Sequence, residues 1–227
     1  MPEGAGAQPL LLYGNGRMAE LVLAEMRGDD RWRPLAVAGD REHLRGELVG
    51  GLPELALDEA LERHPPASCA LLVTIGYGRM RARAELFARA GALGYRMPPY
   101  VALRARVHAD AVIGAGAIVF DDAYVGPGAE LGEQVVLRPQ AYVGHGARVG
   151  AHSFLTTRSL IGGGARIGAL SFVGLGAIVR DHVEVGEECL IGAGALVIAD
   201  LAPCGVYVGQ PARRVGDHGA TGIELER

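Results

Sequence analysis

From Val101 to Val197 every sixth residue is a bulky aliphatic: Val101, Val107, Ile113, Val119, Val125, Leu131, Leu137, Val143, Val149, Leu155, Ile161, Ile167, Val173, Val179, Val185, Ile191 and Val197. A period of six is neither the three-and-four recurrence of an amphipathic helix nor the alternation of a half-buried strand. The residue after the aliphatic is glycine at ten of these seventeen places, and the fourth residue after it is small at most of them, as at Ala105, Ala117, Ala141, Ser153 and Ala177. This is the hexapeptide signature of a parallel β-helix. Three hexapeptides close a triangular coil of about eighteen residues, stacked on the next at roughly 4.8 Å, the ordinary strand spacing. The aliphatic fills the prism, the small residue packs beside it, and glycine is expected at corners because the backbone there calls for φ > 0. The repeat never slips, so no long loop separates the coils. Any site must use coil faces, coil corners or a neighbouring subunit.

The residues before the array carry a different pattern. Leu10-Leu11-Leu12-Tyr13 reads as a buried parallel strand, followed by the turn Gly14-Asn15-Gly16-Arg17-Met18-Ala19 and an amphipathic run from Glu20 to Met26. Strand, glycine turn and helix form the first unit of a nucleotide-binding fold. A second strand, Leu35 to Ala38, ends at Gly39-Asp40, where an acid could receive a ribose hydroxyl. A third, Ala70 to Gly76, precedes an arginine-rich helix from Arg79 to Ala90. The strand ends near Gly14, Asp40 and Gly76 converge on the carboxyl edge of one sheet, where open α/β domains take their ligands. The same turn also reads as one that merely packs helix on strand. Pro98-Pro99 then breaks any helix. The expected organisation is an α/β Rossmann-like domain over residues 1–98, a β-helix over 99–215 and a tail over 216–227.

Composition narrows the chemistry. The 227 residues carry a net charge of −4, so electrostatics do not suggest a nucleic-acid partner. All 22 basic residues are arginine, which excludes a Schiff-base lysine and a phosphate-loop lysine. Cys69, Cys189 and Cys204 show neither paired nor metal-ligand spacing, and Cys189 falls on a small-residue position of the repeat, where it fills core. No apolar run is long enough to span a bilayer and the start does not read as a signal peptide, so a cytoplasmic protein is expected.

Within the array His108, His145, His152 and His182 are the candidates for proton chemistry. They occupy different positions of the hexapeptide, so they form no single ladder. For His108 and His182 the plain reading is a solvated surface residue. His145 lies in Val143-Gly144-His145-Gly146, with glycine on either side, so a substrate can approach closely. An imidazole titrating near neutrality is a ready base for an amine or alcohol attacking a thioester. A zinc enzyme similar to the gamma-class carbonic anhydrases is one alternative, with His145 and His152 the nearest match to its ligand set. A non-catalytic scaffold or nucleotide-sensing trimer is another. No metal is expected.

Several pieces in order carry a resemblance: Gly14-Asn15-Gly16, Gly51-Leu52-Pro53, Thr74-Ile75-Gly76 with Arg81, Val143-Gly144-His145, Phe172-Val173-Gly174, Ile191-Gly192-Ala193-Gly194-Ala195, and Val208-Gly209-Gln210-Pro211-Ala212-Arg213. Over most of its length the chain resembles the bacterial sugar acyltransferases that include sialic-acid O-acetyltransferases and the nucleotide-amino-sugar N-acetyltransferases of bacillosamine and perosamine type. The resemblance implies a left-handed β-helix, acetyl-CoA as acyl donor, a sugar or nucleotide-linked sugar as acceptor, and a homotrimer with active sites between subunits. It implies His145 as general base and Gly163, one coil on, as the amide that holds the thioester carbonyl. Gly174, Gly192, Ala193, Pro211, Ala212 and Arg213 would line the path of acetyl-CoA. Gly14, Asn15, Gly16, Asp40, Arg81, Arg138 and Phe154 would meet the acceptor. The chain departs from the family where Gly146 replaces an acid or second histidine, Arg138 an asparagine, Phe154 a histidine and Arg17-Met18 a Gly-His pair. These departures fall in the acceptor site.

Overall fold

The computed structural model describes residues 6–225. They form two compact units, one of residues up to 76 together with 85–98, the other of 77–84 together with everything from 99 onward. In the first unit β1 (Gln8–Tyr13), α1 (Arg17–Glu25), β2 (Trp32–Gly39), β3 (Glu54–Ala56), α2 (Leu57–Arg63) and β4 (Ala70–Val73) follow in turn, before α3 (Met80–Ala92). The sheet is parallel throughout, in the order β3-β2-β1-β4, with Leu10, Leu11 and Leu12 of the central strand fully buried. The three strands expected from their apolar runs are present. β3 and α2 are additions, too short to announce themselves by periodicity. Gly14 has φ +117, and a side chain there would come within 2.5 Å of Ile75 and 3.0 Å of the Thr74 carbonyl. That glycine is therefore required by its backbone conformation and by packing.

The second unit is a parallel β-helix. Seventeen two-residue strands, β5 (Tyr100–Val101) through β21 (Leu196–Val197), each end on one aliphatic of the period-six series. Each of β5 to β18 pairs with the strand eighteen residues on, as Val136 and Leu137 pair with Phe154 and Leu155, and those with Phe172 and Val173. The result is three parallel sheets around one core of the inward aliphatics and the small residues beside them. Each buried aliphatic contributes about 1.5–3 kcal/mol of transfer free energy, which stabilises the stack coil by coil. A hairpin of β22 (Gly205–Val208) and β23 (Arg213–Asp217) extends one sheet.

The corner glycines do a different job from the one expected. Positive φ falls three residues after every aliphatic from Ile113 to Ile191, where Asp122, Gln134, Gln140, His152 and Arg158 adopt it as readily as Gly128 or Gly146. The glycine directly after the aliphatic is needed for close approach instead. A Cβ on Gly150 would lie 2.5 Å from the amide nitrogen of Ala169, and one on Gly132 would lie 2.6 Å from that of Ala151. Backbone stacks on backbone there with no space for a methyl group.

The first residue of each strand points out of the prism, and the three faces differ. On one, Tyr100, Ile118, Val136, Phe154 and Phe172 are buried. On the second, Glu130, Arg148, Arg166 and Glu184 form a charged ladder, with Arg148–Glu130 at 3.1 Å and Arg166–Glu184 at 3.8 Å. On the third, Tyr124, Tyr142, Leu160, Ile178 and Leu196 run in register, and Tyr142, Leu160 and Ile178 are exposed.

The two glycine roles separate experimentally. Gly150→Ala is expected to cost 2 kcal/mol or roughly more, because it forces coils apart. Gly128→Ala meets nothing within 4 Å and is expected to cost only about 1 kcal/mol of left-handed backbone strain. Thermal unfolding should show the larger fall in Tm for Gly150→Ala, and the reverse order would refute the close-approach account.

Candidate functional site

His145 sits two residues past Val143, on the corner that follows the exposed apolar face. Its backbone is held from both sides: its carbonyl accepts the Gly164 N–H at 2.8 Å, and the Gly146 N–H donates to the Pro127 carbonyl at 2.8 Å. Its side chain is exposed, and no hydrogen bond reaches the ring among the described residues. What places the ring is glycine. A Cβ on Gly163 would come within 2.6 Å of His145 Nε2 and 2.8 Å of Nδ1, so the imidazole lies directly against the main chain of the next coil.

Gly162-Gly163-Gly164 forms a shelf approached from both sides. The ring of His182 leans on Gly164 as that of His145 leans on Gly163, with Nδ1 2.5 Å from where a Cβ would be. Asp181 folds over Gly162, and its Oδ1 accepts the Gly163 N–H at 2.7 Å. The Gly162 and Gly164 amides are spent on the carbonyls of Val179 and His145. The structure therefore brings His145 and Gly163 together, and it adds a carboxylate that sequence reasoning missed. Asp181 stands 36 residues from His145 in the chain, and three consecutive glycines were the only signal pointing to it.

Two residues expected at the acceptor have other employment. Arg81 forms a bidentate ion pair with Glu188, Nε and Nη2 each 2.7 Å from a carboxylate oxygen, and also donates to the Ala220 carbonyl. Phe154 is buried, with Tyr77 at 5.0 Å edge-on, Phe172 at 6.2 Å and the Arg83 guanidinium 5.3 Å over its ring. It packs residues 77–84 onto the β-helix and offers no surface to a ligand. Arg83 itself is fully buried, donating to the carbonyls of His152 and Gln134, and burial lowers its pKa to about 10. Arg138 lies half-buried at a coil corner, its guanidinium 4.3 Å over the Phe120 ring.

In the first unit Asn15 straps its own turn, donating to the His43 carbonyl and to Glu54, each at 2.7 Å. Asp40 accepts the Tyr13 hydroxyl at 3.1 Å and pairs with Arg89 at 2.9 Å, so the acid expected to take a ribose hydroxyl is already engaged. Burial, and then the Asp40 charge, push the Tyr13 hydroxyl up to about 12. Gly16 differs from Gly14. It caps α1 with no side-chain bond, and a Cβ on it would meet nothing.

Of the residues expected along the acyl donor, Gly174 is a stacking glycine, its absent Cβ 2.5 Å from the Ala193 amide nitrogen. A Cβ on Gly192 would instead meet a side-chain methyl of Val208 at 2.8 Å. Ala212 is buried and its N–H donates to the Leu196 carbonyl, while Ala193, Pro211 and Arg213 are exposed. Among the other histidines, His108 Nδ1 meets Asp110 at 2.5 Å, and His152 Nδ1 meets Gln134 Oε1 at 2.9 Å. Among the described residues the one group of three potential metal ligands is Asp40, Glu42 and His43, which includes none of the array histidines.

No family model matches the sequence, and neither does any curated protein. Solved structures do. The acetyltransferase domain of PglB from Neisseria gonorrhoeae, in complex with acetyl coenzyme A, superposes with a TM-score of 0.83 at 26% identity, over 92% of this chain and 100% of that one. PerB from Caulobacter crescentus, in complex with CoA and GDP-perosamine, gives 0.82 at 26% identity, over 94% and 100%. WeeI from Acinetobacter baumannii, at 17% identity and 0.61, shares the fold. The chain is similar to hexapeptide-repeat sugar acetyltransferases. No helix among the described residues is long and apolar enough to cross a membrane.

The assignment of Arg81 to structure rather than substrate has a pH signature. Arg81, more than any other cause, holds the Glu188 carboxyl below the usual carboxylate range. A depressed folded pKa adds stability that is present above the unfolded value, about 4.3, and is lost as pH falls through the folded value. Arg81→Ala should therefore lower Tm at pH 7, and the gap to the unsubstituted chain should close below about pH 4. An unchanged Tm with a raised acceptor KM would return Arg81 to the acceptor site.

Proposed function

We propose that this chain transfers the acetyl group of acetyl-CoA to the amine of a nucleotide-linked sugar, with His145 as general base. The observation that carries this reading is an exposed imidazole free of hydrogen bonds, laid on a glycine shelf beside an apolar outer face. It occurs in a fold shared at TM-scores of 0.82 and 0.83 with proteins solved with CoA and GDP-perosamine, and with acetyl coenzyme A.

The chemistry follows from what the chain offers. The acceptor nitrogen attacks the thioester carbonyl carbon while His145 removes its proton. The tetrahedral oxyanion is stabilised by the Gly163 N–H, a backbone donor whose position the coil fixes. Collapse breaks the carbon–sulfur bond, and the imidazolium returns its proton to the departing CoA thiolate. No cysteine or serine side chain lies beside His145 in the sequence, so direct transfer is favoured over an acyl-enzyme. Acetyl-CoA runs along the later coils past Gly174, Gly192, Ala193, Pro211, Ala212 and Arg213. The first unit, Rossmann-like in its strand order, receives the nucleotide at the carboxyl ends of β1 and β2, where Gly16 leaves the start of α1 uncovered.

The working form is a homotrimer. Tyr124, Tyr142, Leu160, Ile178 and Leu196 make a flat apolar face on a β-helix whose other faces are buried or charged, and such a face is expected to be covered. His145 follows Tyr142 by three residues, so the subunit that covers the face also walls the site.

Release of free thiol from acetyl-CoA in the presence of nucleotide-linked amino sugars tests the activity. His145→Ala should lower kcat/KM by roughly 10²–10⁴, and a rate equal to that of the unsubstituted chain would end the base assignment. Tyr142→Glu with Ile178→Glu should sediment as a folded monomer without activity. A trimer that survives both charges would move the interface to another face.

A further inference from the structure

We infer that Asp181 occupies the place of the acyl donor's carbonyl oxygen, and that acetyl-CoA must displace its carboxylate to bind productively. This rests on the proposed assignment of the Gly163 N–H to the thioester carbonyl. The amide has one hydrogen to give, and Asp181 Oδ1 takes it at 2.7 Å. A carboxylate oxygen on a backbone donor is the same acceptor on the same bond as a developing oxyanion. The shelf provides no substitute, because the Gly162 and Gly164 amides are held by other carbonyls.

Aspartates cap coil amides elsewhere, and the contrast is informative. Asp110 takes the Gly128 N–H at 2.9 Å with the same Oδ1 that meets His108 Nδ1, yet a Cβ on Gly128 would meet nothing within 4 Å, so no ring lies on the capped glycine there. At Gly163 the capped residue lies beneath the ring of His145. Asp181 is itself exposed, so it can swing away without leaving a buried charge. The capped state keeps the donor amide satisfied until a carbonyl arrives, and it penalises only ligands that bring one. CoA without an acyl group has no carbonyl to place there and leaves Asp181 where it is. The carboxylate thereby favours substrate-for-product exchange less than an open amide would, and its removal should show as a change in discrimination.

The test is calorimetric titration of the full-length protein with acetyl-CoA and, separately, with CoA. Asp181→Ala should bind acetyl-CoA about tenfold more tightly than the unsubstituted chain, the size of one hydrogen bond. Its affinity for CoA should be unchanged. Asp181→Asn keeps a weaker, neutral acceptor and should fall between the two, which also guards against a folding defect in the alanine variant. If the unsubstituted chain binds and turns over acetyl-CoA but neither variant favours it over CoA more than the unsubstituted chain does, the inference is wrong and the acetyltransferase reading stands. If the unsubstituted chain binds neither ligand, that reading falls and this inference with it.

Discussion

Coil-to-coil backbone contact at a spacing of eighteen residues is the constraint from which the rest of this protein follows. Strands of two residues cannot pair stably alone, so each depends on neighbours above and below. That dependence fixes the register, and at the glycine corners it brings main chains within 2.5–2.9 Å of where a side chain would begin, as at Gly150, Gly132 and Gly126. Residues eighteen apart are then forced into ladders. His145, Gly163 and Asp181 meet for this reason alone: they hold the same place in three successive coils. The site needs no loop and no dedicated element, only a polar residue, a gap and another polar residue in one column.

The pleat adds a second consequence. Because one residue of each strand must point outward, every face of the prism displays a column of side chains whose character decides its fate. The buried column, from Tyr100 to Phe172, receives Tyr77 and Arg83. The charged column pairs internally and stays in water, where such pairs contribute little to stability. The apolar exposed column is left wanting a partner, and the proposed base stands at its edge.

These levels were unequally legible. The array could be read whole, because one residue type at one period specifies strand, corner and core together, and all seventeen strands end where the aliphatics stand. The role of the corner glycines was misjudged, since close approach and positive φ both ask for glycine and only coordinates separate them. His145 was visible through the glycines beside it. Arg81 and Phe154 were not readable as structural, because what occupies them, Glu188 and Tyr77, lies 107 residues away in one case and in a segment outside the repeat in the other. Asp40 was legible as an acid at a strand end, while its engagement by Tyr13 and Arg89 was not. Short sequence patterns report local geometry well and report availability poorly, since availability depends on partners brought by the fold.

The orientation of His145 shows how far a scaffold of this kind can replace a dedicated side chain. A general base is ordinarily aimed by a hydrogen bond to its second nitrogen, which also fixes the tautomer. Here Gly146 supplies no such group and the ring leans on the Gly163 backbone instead. Contact with a flat shelf restricts the ring without selecting a tautomer. The cost is that an exposed imidazole gains little from its surroundings until water is excluded. A second subunit laid over Tyr142, Leu160 and Ile178 would do that, burying apolar surface and narrowing the space around the ring in one step. Assembly and chemistry would then be coupled through the same residues, and the proposed base would gain from a neighbouring subunit the support that its own coil does not give.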